Sequence, residues 1–438
     1  MNHQPKVRVI DAIMGSGKTT YIINQLNNEK DLNKRFLIVT PYLKEIDRLI
    51  GAIPNLCLKT PEGKDAQSKP KSKSKSKSKS KSKSKSKGLM KLITEEQNIV
   101  ITHRLFNLMS TDTSNLHAAH GYELIIDEVP ECVRQYGSSN GELSGHDLEL
   151  LFQNKVVTGN DNGYLEWDDH GRVDHKGAFT QLKRDCDNQR IRVKPAVNVK
   201  TNKRADMFFW EFPITQLKAF KSITVLTYMF DASVMCSYLK CYDIDWQHLS
   251  LTSDRRLVCW NHEIEAAQAQ SVAKYLHVLT GGKLNDTGEK LNSYSSSWLK
   301  KRPPSERVEI ELAARNALQN HFGARGFTTM WSCVEDLQSD LTPKGFKKAF
   351  VACNLRATNE YKDKVHLAYL RNIYSQPPVN QYFHAKGVRV DQDRYALSEL
   401  LQWIFRSAIR DEKDVHLYLP SKRMRTLLHE WSGGVCKV

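Results

Sequence analysis

Short runs of aliphatic and β-branched residues alternate along the first half of the chain with segments whose apolar positions recur every three or four residues. The first run (Val7, Val9, Ile10, Ile13) stops at Gly15. The segment after it (Tyr21, Ile22, Ile23, Leu26) has the spacing of a helix. Residues 35–42 predict a second buried strand closed by Pro41, followed by helical spacing over 43–50 and a short strand at 55–58. A helix near 88–96 and a strand at 98–102 come next, and His103 opens another helix. Residues 122–130 are an apolar strand ending in two acids. Residues 222–229 form another strand, followed by a helix over 231–239. Strands apolar on both faces and separated by helices predict a parallel sheet covered on both sides, with ligands at the carboxyl ends of its strands. The expected fold class is α/β.

Residues 137–215 break this rhythm. Gly, Asp, Asn and His are dense there, and the short alternating run Tyr164-Leu165-Glu166-Trp167 points to an insertion built of hairpins. His170 and His175, among Asp168, Asp169 and Asp174, match no metal-ligand spacing and are expected to form an acidic turn. The rhythm returns more weakly in the second half. It predicts strands at 256–260, 327–333, 349–353 and 415–419, a helix over 306–322 with Val308, Leu312, Ala313 and Leu318 inward, and a helix over 397–409. The expected division is residues 1–245, carrying the insertion, and residues 246–438, a second α/β domain.

Composition narrows the class. With 438 residues, 40% of them hydrophobic, each half can bury its own core. No apolar run approaches the roughly 18 residues of a membrane span, and Lys6, Arg8 and Asp11 interrupt the N-terminal stretch where a signal peptide would be apolar. Nine cysteines with no C-x-x-C pair argue against a disulfide frame or a zinc finger. The expected setting is soluble and cytoplasmic. The formal charge is +16, but ten lysines at odd positions from Lys69 to Lys87 account for much of it, leaving +6 for the remainder. That Lys-Ser tract (68–87) has no apolar residue with which to offset its ordering entropy, and it is expected to be a disordered surface loop. Two roles stay open for it, non-specific salt-sensitive affinity for phosphates and a tolerated repeat expansion with no dedicated role.

The chemistry begins at Met14-Gly15-Ser16-Gly17-Lys18-Thr19-Thr20. A glycine-rich turn between strand and helix lets backbone N–H groups cradle phosphates at a helix N-terminus. Lys18 is expected to reach the β/γ-phosphates and Thr19 to ligate Mg²⁺. Ala12 stands at the first position of the G-x-x-x-x-G-K-[ST] pattern, and Gly15 and Gly17 do the bending. Asp127-Glu128 at the end of a strand is the natural complement. Asp127 would hold Mg²⁺, and Glu128 would polarise the water that attacks the γ-phosphate. On a helix, Gln402, Arg406 and Arg410 share one face, so two guanidiniums from one domain can serve as arginine fingers to a phosphate held by the other.

These stretches resemble the superfamily 2 helicases and translocases. Residues 14–20 resemble motif I, Thr40-Pro41-Tyr42 motif Ia, Thr102-His103 the short motif after it, and Asp127-Glu128-Val129-Pro130 motif II. Residues 226–233, 327–333 and 353–361 stand in the places of motifs III, IV and V, and residues 402–410 resemble motif VI. Phe405 replaces the glycine of motif VI, and its second arginine comes one position late. The resemblance implies two RecA-like domains with ATP and Mg²⁺ in the cleft between them. It also implies nucleic-acid contacts, with DNA ahead of RNA, through Thr40, Tyr42, Thr102, His103, Arg104, Arg356, Thr358 and Asn359. The implied activity is ATP-driven translocation on or unwinding of DNA, similar to that of bacteriophage helicase-like proteins, with replication or recombination proteins as partners. Two alternatives remain open: a nucleic-acid-stimulated ATPase that clamps or anneals, and a P-loop kinase acting on a small molecule.

Overall fold

The structure is a computed structural model that describes residues 4–61, 77–137, 142–168, 177, 179–194, 197–198, 203–204, 206–281, 283–353 and 360–436. Two parallel sheets organise it. The first takes β1 (Lys6–Asp11), β2 (Phe36–Thr40), β3 (Ile99–Thr102), β4 (Glu123–Asp127), β5 (Ser222–Thr227), β6 (Trp246–Leu251) and β7 (Leu257–Cys259), in the spatial order β7-β6-β1-β5-β4-β2-β3. Only β7 runs antiparallel to its neighbour. The second sheet is wholly parallel, with β8 (Leu276–Val278), β9 (Thr329–Ser332), β10 (His366–Tyr369) and β11 (Val415–Tyr418) in the order β8-β11-β10-β9.

Period-two alternation explains why both faces are covered. Val7, Val9, Leu37, Val39, Ile99, Ile101, Leu124 and Ile126 enter one buried cluster. Their neighbours Ile10, Phe36, Ile38, Val100 and Ile125 enter another on the opposite face, against Ile22, Leu26, Ile46 and Leu49 of the helices Lys18–Asn27 and Leu43–Ala52. The second sheet repeats the arrangement, with Leu367, Tyr369 and Leu417 on one side and Ala368, Leu370 and Tyr418 on the other. The α/β class with two parallel sheets is therefore as the pattern of the chain predicts.

Several elements differ from expectation. Trp246–Leu251 and Leu257–Cys259 continue the first sheet, so the strand at 256–260 belongs to the first sheet although its rhythm assigns it to the second half. Pro54 opens a 3-10 turn (Pro54–Leu56) where a strand is expected, and only Lys59 bridges to Ile99. Residues 349–353 form no strand, and Phe350 makes an isolated bridge to Trp331. Helix Pro304–Asn316 presents Ile310 and Ala314 to the core while Val308 and Leu312 are about half exposed. The alanine in the inward stripe lets the helix lie close on its neighbours, and Ala317 and Leu318 extend the same stripe. The Lys-Ser tract is helical from Lys77, within Lys77–Thr94, where disorder is expected; residues 68–76 lie outside the described residues. Leu89 and Ile93 are buried and anchor this helix, and lysine is a good helix former once a turn has been nucleated.

The segment between β4 and β5 carries, among its described residues, a three-stranded antiparallel sheet (Val133–Gln135, Met207–Glu211, Ile191–Lys194), the hairpin of Val157–Gly159 and Leu165–Trp167, and the helices Gly145–Gln153, Phe179–Asp187 and Ile214–Lys218. Its apolar side chains join the cluster on one face of the first sheet. At its centre the fully buried Glu211 accepts hydrogen bonds from the hydroxyls of Tyr164, Tyr242 and Tyr382 and pairs with Arg192 at 2.7 Å. Tyr382 lies on helix Pro377–His384, which follows β10, so this carboxylate ties the second half of the chain to the insertion. His170, His175, Asp169 and Asp174 lie outside the described residues.

Candidate functional site

β1 ends at Asp11, and the chain turns through residues 12–17 into helix Lys18–Asn27. The turn needs glycine at two points: Gly15 and Gly17 have φ of 84° and 89°, a region costly for a residue with a β-carbon. The loop is held from outside itself. Ala12 N–H donates to the Thr227 carbonyl at 3.1 Å. The Asp11 carboxylate accepts the N–H groups of Met229 and Phe230, each at 2.8 Å, and hydrogen-bonds the His248 ring at 2.9 Å. Ile13 N–H reaches Gln268 Oε1 at 3.4 Å, from helix His262–Ala273 between the two sheets.

Lys18 Nζ folds back onto the Ala12 and Ile13 carbonyls, at 3.0 Å for the latter. Burial pulls its ammonium below the ordinary lysine range against the opposing pull of Glu128, Asp11 and Asp127. Because the sheet order is β1-β5-β4, the loop and the two acids leave the same carboxyl edge only two strands apart, about 10 Å at ordinary strand spacing. Burial, and then the neighbouring Glu128, push the Asp127 carboxyl up to about 7. Thr19 Oγ1 lies 3.4 and 3.5 Å from its two oxygens. Glu128 takes a left-handed backbone, φ 66°, with its N–H on the Leu226 carbonyl at 3.0 Å.

These groups line a cavity of about 350 Å³ whose opposite wall comes from the second half of the chain. Met14, Gly15, Gly17, Lys18, Thr19, Thr20, Asp127 and Glu128 lie on one side, and Gln402, Phe405, Arg406 and Arg410 on the other. A smaller cavity of about 170 Å³ shares Glu128 and Gln402 with it. The single helix expected to carry Gln402, Arg406 and Arg410 is not present. Helix Gln392–Ile404 ends before Arg406, and Arg410 lies in a separate 3-10 turn, Ala408–Asp411. Ser407 makes the break. It is extended, its hydroxyl donates to the Ile404 carbonyl at 2.6 Å, and the same oxygen accepts Ile409 N–H. Arg406 is buried and points Nη1 at the Cys353 carbonyl, 3.3 Å away, and the Ala352 carbonyl at 3.5 Å. The Arg410 side chain packs by the phosphate loop, where a β-carbon on Gly15 would meet its Cγ at 3.9 Å.

The donor set fits a nucleotide with magnesium. Ser16 Oγ, inside the loop, is buried with no hydrogen-bond partner among the described residues. Mg²⁺ keeps several waters and takes one or two protein oxygens, which is what Thr19 and Asp127 offer. Among the described residues no group of three or more His, Cys, Asp or Glu side chains gathers to hold a metal.

Of the residues expected at nucleic acid, Thr40 and Thr102 are register partners at the carboxyl ends of the adjacent strands β2 and β3, with Tyr42, His103 and Arg104 directly after them in the chain. Thr40 is fully buried, Tyr42 precedes helix Leu43–Ala52, and Thr102 caps the turn His103–Phe106. His103 hydrogen-bonds the Asp127 carbonyl at 2.8 Å, and Arg104 is exposed. Arg356, Thr358 and Asn359 lie outside the described residues. Sequence reasoning missed Glu45 and Arg48, which line the cavity together with Pro41 from the start of the helix after β2. Glu45 and Arg48 pair with each other at 2.7 Å, and their i, i+3 spacing beside Pro41 was the available signal. Asp11, His248 and Gln268, which brace the loop from behind, leave no local mark in the sequence.

Comparison with known proteins bears on both halves. Residues 270–432 match the model of the YonV C-terminal Rossmann-like domain, and residues 139–193, within the insertion, match the YonV middle domain. Among solved structures the chain is similar to one titled XPD_Helicase, at 12% identity and a TM-score of 0.46 over 99% of this chain and 95% of that one. It is also similar to S. cerevisiae Dbp5 bound to RNA and ADP BeF3, at 9% identity and a TM-score of 0.36, covering 99% and 85%. The SPbeta prophage-derived uncharacterized protein YonV of Bacillus subtilis (strain 168) is 32% identical over 433 residues, 97% of this chain and 98% of its own length. The chain therefore belongs to the YonV family.

Proposed function

We propose that the chain is a nucleic-acid-dependent ATPase that translocates on or unwinds DNA, with ATP in the cleft between its two sheets. The observation that carries this reading is the single cavity lined by a phosphate loop and a strand-end acid pair from one sheet and by Gln402, Arg406 and Arg410 from the other. A small-molecule kinase needs no second sheet bringing cations to its phosphate loop. The order of the helicase-like stretches along the chain supports the same reading.

The loop N–H groups and Lys18 hold the β- and γ-phosphates, and Lys18 exchanges its present carbonyl partners for phosphate oxygens. Mg²⁺ held by Thr19 and Asp127 supplies neutralisation of the phosphate charge when bound. Glu128 orients the attacking water and accepts its proton. Its strained backbone, costing on the order of 1–3 kcal/mol, fixes the carboxylate at the cavity wall. Arg410, on the same cavity wall as Gln402, stabilises charge on the transferred phosphoryl, and Arg406 holds the residue 352–353 carbonyls. Cleft closure and opening over each cycle would then shift one sheet against the other along a bound strand.

The test is steady-state ATP hydrolysis without polymer and with single-stranded DNA, duplex DNA or RNA, with Lys18→Ala as the blank. Strong stimulation by a polymer, absent in the blank, is expected. Equal rates under all four conditions would point to a small-molecule phosphotransferase.

A further inference from the structure

The hairpin between β6 and β7 places a cation over the phosphate loop. Its turn is tightly tied. Arg255 N–H donates to the Thr252 carbonyl at 2.9 Å, and Thr252 and Arg256 exchange hydrogen bonds at 3.0–3.1 Å. The Asp254 carboxylate is taken by the Thr252 hydroxyl and the Arg256 guanidinium, so the turn satisfies its own acid internally. Arg255 is held with φ at 61° and its side chain is exposed. Among the described residues it forms no ion pair. The guanidinium lies across Gly17, where a β-carbon would meet Nε at 3.4 Å and Cδ and Cζ at 4.0 Å.

We propose that Arg255 grips the α/β-phosphate end of a bound nucleoside di- or triphosphate, from the same sheet that carries the phosphate loop. This rests on the nucleotide reading of the cavity and adds to it a ground-state contact. The Gly17 end of such a loop cradles the α- and β-phosphates, which remain after hydrolysis. A guanidinium presents a planar fork of donors suited to two phosphate oxygens at once. The strained turn fixes where the fork is presented, and Asp254 is too engaged to neutralise it. Arg406 and Arg410 reach the cavity from the other half of the chain, so their contacts depend on the cleft. Arg255 moves with the loop, and its contact persists whether the cleft is open or closed. It is therefore a binding residue for ATP and ADP alike and takes no part in phosphoryl transfer.

The experiment is titration of the full-length protein with ADP and Mg²⁺ by calorimetry, together with steady-state ATP hydrolysis, for wild type, Arg255→Ala, Arg255→Lys and Lys18→Ala. Arg255→Ala is expected to raise the ADP Kd and the ATP KM together, about tenfold, with kcat unchanged, and Arg255→Lys to recover part of the affinity. Because Arg255 is exposed, melting temperatures without nucleotide should match wild type. The Lys substitution guards against a turn defect, since it keeps the charge and loses the fork. An ADP Kd in Arg255→Ala equal to wild type overturns the proposal and leaves the nucleotide site intact. A fall in kcat at unchanged ADP affinity also overturns it, by assigning Arg255 to the transition state. A wild type that binds no ADP removes the parent reading and this inference with it.

Discussion

At the scale of single residues, the phosphate loop is legible because its chemistry is local. Two glycines with positive φ, a lysine and a threonine within a few residues determine the turn, the cradle and the helix that follows. Arg406 is less legible, since a guanidinium on a predicted helix face reads as a finger whether it meets phosphate or two backbone carbonyls. Some residues carry effects that no motif announces. His117 is fully buried and stacks on Phe220 with ring centroids 4.0 Å apart. Burial lowers its pKa to about 4. In the unfolded chain it titrates near 6.5, so as pH falls below that value the unfolded state takes up a proton that the folded state refuses. The His117 contribution is thus intact above pH 6.5 and is lost progressively as pH falls toward 4, about 2 kcal/mol of it between pH 7 and pH 5. Urea unfolding at those two pH values is the measurement. Wild type should lose that much more stability than His117→Phe, which keeps the stack and cannot titrate, and equal losses would refute the assignment.

Among the elements, strands with β-branched residues on both faces could be read directly, since a parallel sheet buried on two sides allows little else. Helix orientation was harder. Val308 and Leu312 offer one apolar stripe, while Ile310 and Ala314 offer another, and only the tertiary partner chooses between them. The end of helix Gln392–Ile404 was illegible for a similar reason, because the serine that breaks it gains its effect from the carbonyls around it. The turn residues of the insertion mark its hairpins but leave its anchor, Glu211, unmarked. The tyrosines that satisfy it come from residues 164, 242 and 382, far apart in the chain. Removing that acceptor by Glu211→Ala leaves the buried hydroxyls of Tyr164 and Tyr382, the half-buried one of Tyr242, and Arg192 short of a partner. A loss on the order of 3–5 kcal/mol is expected in chemical denaturation. A loss below about 1 kcal/mol would mean that water or a rearranged partner satisfies the cluster.

For the whole molecule, the decisive feature is how the two sheets share one cavity. The order of motifs along the chain implied a cleft, and the cavity is lined from both sheets. The ties across it could not be read, because they join residues with no common motif. Arg394 pairs with Asp231 at 2.7 Å and Glu265 at 3.5 Å, and the Trp431 indole donates to the Tyr228 hydroxyl at 2.7 Å. The Asp231 and Tyr228 contacts join the second half to the segment after β5, which Asp11 already clamps to the phosphate loop. The loop of residues 12–17 is thus linked through contiguous contacts to the second half of the chain. The central claim is that the second half supplies catalytic charge to a nucleotide held by the first. The most direct measurement is kcat for polymer-stimulated ATP hydrolysis by Arg410→Ala, alongside its ADP affinity. The account predicts a fall in kcat of at least about a hundredfold with nearly unchanged ADP binding. A wild-type kcat in Arg410→Ala would contradict it and return hydrolysis to the first sheet alone.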